Sequence, residues 1–190
     1  MAEKALGTGD LNLAQTHFEK AAELFPDFPG PDNPLRHLAG MHRESGDLEA
    51  WSDAIHLLQR HDSAAYDEPY AYMEAASERG DWSAVLRQSE WCAGIDPFDV
   101  TLYTYRQRAQ EALGQHEELV ETLEIMAALD PSREEIYQLA SARNLVRLGR
   151  AQESRRTVLA VLESFPEFRE AQLLLLELQK VFAEGAPDDS

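Results

Sequence analysis

Residues 80–97 read GDWSAVLRQSEWCAGIDP, with Gly80-Asp81 at one end and Pro97 seventeen residues after the glycine. A glycine at the end of a helical run takes the left-handed conformation that closes a helix C-terminus. An aspartate directly after it caps the next helix by accepting its free backbone N–H groups. Gly-Asp is therefore a stop followed at once by a start, and it folds two helices into an antiparallel hairpin. Pro97 then ends the second helix or opens the next one. The same punctuation recurs at Gly9-Asp10-Leu11, Gly46-Asp47-Leu48, Gly114-Gln115-His116 and Gly149-Arg150-Ala151. The gaps between the five glycines are 37, 34, 34 and 35 residues. Pro26, Pro131 and Pro166 hold the place of Pro97 in their blocks, and Ser63 holds it in the second. The long gap contains Phe25-Pro26-Asp27-Phe28-Pro29-Gly30-Pro31-Asp32-Asn33-Pro34, which reads as a loop three residues longer than the others.

Between the markers the apolar residues step by three and four. Leu119, Leu123, Met126 and Leu129 do so after Gly114, Val158, Val161 and Leu162 after Gly149, and Leu13, Ala14, Phe18, Ala21 and Ala22 after Gly9. Such steps place one apolar face on a helix. No segment alternates with period two and no Asn-Gly hairpin signal occurs. The pattern predicts an all-α chain of about eleven helices, at 2–8, 10–24, 33–45, 47–61, 67–79, 81–94, 99–113, 115–129, 132–148, 150–164 and 167–183.

A helix-turn-helix unit of 34 residues with these markers resembles the tetratricopeptide repeat (TPR) family. Gly9, Ala14, Phe18, Ala21 and Pro26 match the family slots in the first block. The fifth block supplies Ala142, Gly149, Ser154, Val158, Val161 and Pro166. The third supplies Met73, Gly80, Trp82, Val85, Ser89, Cys92 and Pro97, and the fourth Gln107, Gly114, Leu119, Leu123, Met126 and Pro131. The second block puts bulky Trp51 where alanine is usual. The resemblance implies a right-handed α-solenoid of antiparallel helix pairs over residues 1–183, with repeats at about 1–30, 31–65, 66–98, 99–132 and 133–166. Residues 167–183 would form a capping helix, its polar side formed by Glu170, Glu177, Gln179 and Lys180, and 184–190 a polar tail. Counted back from Gly9, Met1 falls inside the first helix of a repeat, so the stretch reads either as a fragment of a longer array or as a natural start.

Composition excludes several classes of function. The 190 residues carry 35 acidic and 17 basic side chains, a formal charge of -18. That field disfavours nucleic acid and anionic membrane. Cys92 is the single cysteine, so no intramolecular disulfide and no cysteine-rich zinc site can form. No apolar run nears the roughly 20 residues of a bilayer span. The first thirty residues have neither the basic start nor the apolar stretch of a signal peptide, and the expected compartment is the cytoplasm. His37 and His42, and His56 and His61, are five apart, which turns them off one helical line. Ser52, Asp53 and His56 share a helical turn, but a solvated helix face supplies neither an orienting third group nor an oxyanion site. No phosphate-binding glycine loop or nucleophile elbow occurs. No enzymatic activity, metal or cofactor is expected, and Cys92 falls at a slot for a buried structural thiol.

In the TPR family the first helices of the pairs line the inner surface. The matching positions here give a candidate partner-binding groove of Arg36, Arg43, Tyr70, Glu74, Tyr105, Arg108, Arg143 and Arg147. Arg143 and Arg147 are four apart and share a helix face. Residues 132–160 hold six arginines and three glutamates, a basic stretch on an acidic chain. It suits an acidic peptide segment, since arginine grips carboxylates with paired donors. The competing reading pairs these arginines with Glu134, Glu135 and Glu153. Some family members grip a C-terminal carboxylate with a clamp of Lys, Asn and Arg. The corresponding slots, around Arg36, Gly40, Tyr70 and Glu74, do not supply that set. The expectation is a non-catalytic protein-interaction scaffold, with self-association through the incomplete first repeat at residues 2–24. The alternative is the C-terminal accessory module of a larger protein, an enzyme or a secretion component, whose active part lies upstream.

Overall fold

The structure is a computed structural model that describes residues 10–184. Ten α-helices run among the described residues: α1 (Leu11–Leu24), α2 (Pro34–Ser45), α3 (Leu48–His61), α4 (Asp67–Arg79), α5 (Trp82–Ile95), α6 (Val100–Leu113), α7 (His116–Leu129), α8 (Glu134–Arg147), α9 (Ala151–Ser164) and α10 (Arg169–Glu184). No strand occurs among the described residues. The helix expected at 2–8 and the tail beyond residue 184 lie outside them. No described helix is long and apolar enough to cross a membrane.

Cap chemistry sets the boundaries. Asp10, Asp47 and Asp81 accept from the backbone N–H of Leu13, Ala50 and Ala84, each at 3.1 Å. They stand just outside helices that the sequence pattern began on them. Gln115 and Arg150, which replace aspartate in the later blocks, make no side-chain cap bond. Gly46 and Gly114 sit at φ 74° and 69°, the left-handed region where a side chain would crowd the following carbonyl. Helix α8 starts two residues later than the expected 132, because Pro131 opens a short 3-10 turn over Pro131–Arg133. The long loop before α2 is pinned by buried Asn33. Its amide donates to the carbonyls of Phe28 (2.8 Å) and Pro26 (3.3 Å), while its side-chain oxygen caps Leu35 N–H at 2.8 Å. Where the second block has Ser63 in place of proline, Asp62 turns the chain by accepting from Ala64 N–H at 3.0 Å.

The repeat slots fill the core. Five residues after each glycine stand Ala14, Trp51, Val85, Leu119 and Ser154, all buried. Four residues further, Phe18, Ile55, Ser89, Leu123 and Val158 are buried as well. Leu58, Cys92, Met126 and Val161 follow three residues later, also buried, whereas Ala21 is half-buried. One slot departs from the pattern. Gln107 does not enter the core beside buried Ala39, Met73 and Ala142 in the same slot; its amide turns along α6 and donates to Glu111 at 3.0 Å. A long polar side chain is cheaper to solvate than to bury.

The chain divides into two compact units. The first holds the described residues up to Arg79 together with Glu90–Pro97, and its core includes Ala14, Phe18, Leu35, Leu38, Leu58 and Ala65. The second holds Gly80–Ser89 and the described residues from Phe98 onward; Leu139, Ala142, Val158, Val161, Ala171, Leu174 and Leu178 build a core between α8, α9 and α10. The division falls within α5. In each unit consecutive helices pack on one another, α1 on α2 and α2 on α3 in the first, α6 on α7, α7 on α8 and α8 on α9 in the second. Connections of two residues at Gly46 and Gly114, and of three around Gly149, oblige α2 and α3, α6 and α7, and α8 and α9 to run antiparallel.

Candidate functional site

The first unit contains Arg36, Arg43, Tyr70 and Glu74. Arg36, on α2, reaches across to Asp62, with Nη2 at 2.7 Å and Nε at 3.1 Å from the same carboxylate oxygen. Arg43, two turns further along α2, lies 3.2 Å from Glu68 of α4. Glu68 also accepts from the Trp51 indole N–H at 3.3 Å. Burial pushes the Glu68 carboxyl above its ordinary range; the Arg43 charge and the indole bond oppose that shift without cancelling it. Arg36, Gly40, Glu44, Asp67 and Glu68 contribute to the walls of a pocket of about 350 Å³. Its one arginine is already paired, so three carboxyl groups dominate the wall. A C-terminal carboxylate would meet like charge there. Tyr70 stacks on Tyr66 with ring centroids 5.4 Å apart, and Glu74 is exposed.

The second unit contains Tyr105, Arg108, Arg143 and Arg147. Tyr105 is half-buried and Arg108 exposed, three residues apart on α6. Arg143 and Arg147 are exposed on α8. Arg147 donates to the neutral side-chain oxygen of buried Asn144 at 3.3 Å, an oxygen that His116 Nδ1 also approaches at 3.0 Å. Among the described residues no carboxylate pairs with Arg108, Arg143 or Arg147. Arg150 behaves differently. It forks onto Glu153, Nε to Oε1 at 2.8 Å and Nη2 to Oε2 at 2.7 Å, and its third nitrogen pairs with Glu117. These bonds hold the Glu153 carboxyl below its ordinary range and raise that of Arg150. Pairing with neighbouring acids thus accounts for Arg150, and at Arg143 and Arg147 the structure shows none.

Other residues that sequence reasoning singled out are placed as follows. His37 stacks on Phe18 with ring centroids 4.5 Å apart, and His61 Nδ1 lies 2.8 Å from Asp27. Among the described residues no three metal-ligating side chains gather. Cys92 is fully buried. Sequence reasoning missed Arg106, which donates to the Ser89 carbonyl at 2.8 Å and its hydroxyl at 3.2 Å while lying over the Tyr103 ring at 5.3 Å. Its position next to the Gln107 slot was the available signal. The Trp51–Glu68–Arg43 chain of contacts was also missed; its partners lie seventeen and twenty-five residues apart and carry no local signature.

No protein-family model and no curated protein matches the chain. Solved structures do. YrrB, described as a TPR protein with an unusual peptide-binding site, superposes with a TM-score of 0.50 at 11% identity, covering 90% of this chain and 86% of that one. The thermophilic TPR protein TTC0263 of Thermus thermophilus gives 0.44 at 19% identity, covering 94% and 95%. MamA 41-end from Desulfovibrio magneticus RS-1 gives 0.47 at 17% identity, covering 85% and 89%. The YrrB superposition, with the all-helical architecture, shows a TPR-like fold; at these identities the likeness is one of fold alone.

Proposed function

We propose, from a TPR-like fold as premise, that this chain is a non-catalytic scaffold that binds an acidic segment of a partner protein through arginines of its first helices. The observation that carries this reading is the pair Arg143 and Arg147. They are exposed, four residues apart on α8, and meet no carboxylate among the described residues of a chain with formal charge -18. Exposed guanidinium groups with no carboxylate beside them attract anionic partners. Arg36 and Arg43 already hold Asp62 and Glu68, so the acidic segment is assigned to α6 and α8, with Arg108 as a further cation and Tyr105 as an adjacent ring. Tyr70 and Glu74 of the first unit are left for contacts of another chemistry. YrrB, which shares the fold, is described as having a peptide-binding site, which supports binding of an extended segment as the mode. Cys92, the single cysteine, is a buried thiol of the kind found in reducing compartments, and we assign the work to the cytoplasm.

The test is fluorescence anisotropy with labelled Asp/Glu-rich twelve-residue peptides at two salt concentrations. The wild-type chain binds, and more weakly at high salt. The double variant Arg143→Glu/Arg147→Glu binds about tenfold or more weakly, as loss of two charge-assisted contacts requires. Equal binding by both proteins refutes the assignment.

A further inference from the structure

Two surfaces outside the peptide reading match one another in chemistry. The first is a pocket of about 370 Å³ beside α1. Ala22, Leu35, Leu38 and Leu57 give it apolar walls, and Glu19 and Glu23, four apart on α1, add carboxylates to them. Leu35 and Leu38 are buried and continuous with the core, and Leu57 is 43% exposed. Glu19 accepts a bond from the Gln15 amide at 2.9 Å, and no cation pairs with Glu19 or Glu23 among the described residues.

The second is the outer face of α10. Ala171, Leu174 and Leu178 turn into the core of the second unit. On the opposite side Arg169, Leu173, Leu176 and Lys180 follow at steps of four, three and four, one stripe about 16 Å long. Leu173 is 51% exposed and Leu176 55%. An exposed pair of leucines between two cations is the complement of an apolar pocket walled in part by two carboxylates. Every molecule carries both halves, so the partner that fits each surface is already present in any solution of this chain.

We infer that this face is a self-association surface: Leu173 and Leu176 of one copy enter the pocket beside α1 of a second copy, and Arg169 and Lys180 meet Glu19 and Glu23. The contact joins two different surfaces, so it is heterologous, and it closes into a ring or grows as an open chain according to the rotation between copies. Two leucines and one pocket make a small interface, which belongs with weak and transient contacts. The expected dissociation constant is about 10–500 μM. The inference is independent of the acidic-peptide reading, which involves neither α1 nor α10.

The experiment is sedimentation equilibrium of the full chain from about 5 μM to about 1 mM, on the scale of weak contacts. Circular dichroism accompanies each variant to establish that it is folded. The wild-type mass rises with concentration. Glu19→Arg/Glu23→Arg and Arg169→Glu/Lys180→Glu each weaken association about tenfold or more, and the four substitutions together restore it. Leu173→Ser/Leu176→Ser weakens it with no charge change. A monomer at every concentration overturns the inference. So does association that either charge reversal leaves intact, or that the combined variant fails to restore.

Discussion

Replacement of Trp51 tests whether a bulky residue in a slot that is usually small is structural. Trp51 is 3% exposed, meets the edge of Tyr72 at 5.1 Å between centroids with planes at 89°, and donates its indole N–H to Glu68. Truncation of a buried aromatic to alanine costs about 3–5 kcal/mol. The ring pair accounts for about 0.5–1.5 kcal/mol of side-chain interaction. A half-buried Glu68 left without its donor adds roughly 1–3 kcal/mol. These overlap, and a combined loss of about 4–6 kcal/mol is a large fraction of the 5–15 kcal/mol typical of a domain. Trp51→Ala should therefore unfold the α2–α3 hairpin and its contact with α4, while Trp51→Phe, which keeps a ring but loses the donor, should cost about 1–2 kcal/mol. Repeat arrays need not unfold in one step. The assay is native-state hydrogen exchange read at the amides of α2, α3 and α4, beside urea denaturation followed by circular dichroism. Full exchange protection in Trp51→Ala, or a loss under about 1 kcal/mol, would refute the core role.

Three further outcomes follow from named contacts. Gly114→Ala should lower stability by about 1 kcal/mol in urea denaturation. A Cβ there meets nothing within 4 Å, so the cost is backbone strain alone at φ 69°, and an unchanged midpoint would contradict it. Ser154 is fully buried with its hydroxyl donating to the Ala142 carbonyl at 2.8 Å, so Ser154→Ala should cost about 1 kcal/mol. Ser154→Leu should cost more, about 1–3 kcal/mol, by overfilling the α8–α9 contact; the reverse order of melting temperatures would sink that account. Glu68 has its folded pKa raised by burial, so the stability its neutral form supplies is present below the ordinary carboxyl range and lost as pH rises through the folded value. Relative to wild type, Glu68→Gln should gain stability between pH 4 and pH 7; thermal unfolding curves that run parallel across that range would show the carboxyl is unstrained.

The helix spans were legible because their punctuation is local chemistry. A glycine at positive φ, an aspartate accepting three residues ahead and a proline without N–H each act on their own neighbours, and Gly46-Asp47 needs nothing distant to do so. A fixed offset from that glycine fixes the helix face, which is why positions as unlike as Ala14, Trp51 and Ser154 are all buried. Gln107 breaks the rule because chemistry overrides position when the side chain is polar and water is one rotamer away. The candidate site was legible only as a list of charges. The count of six arginines and three glutamates in 132–160 could not say that Arg150 takes Glu153 and Glu117 while Arg143 takes no acid among the described residues. Likewise, Arg36 and Arg43 find Asp62 and Glu68 only once α2, α3 and α4 are folded together. Sequence spacing says which side chains share a helix, and tertiary structure decides which of them are neutralised.

The central claim, that α8 presents arginines unpaired with any carboxylate among the described residues to an acidic segment, is tested most directly by nuclear magnetic resonance. The amide and guanidinium resonances of the chain are followed while an Asp/Glu-rich peptide is titrated in. The account predicts shifts that concentrate at Arg143 and Arg147, extend to Tyr105 and Arg108, and leave the already paired Arg36, Arg43 and Arg150 in place. Shifts centred on those paired arginines, or a spectrum that does not move at saturating peptide, would contradict it.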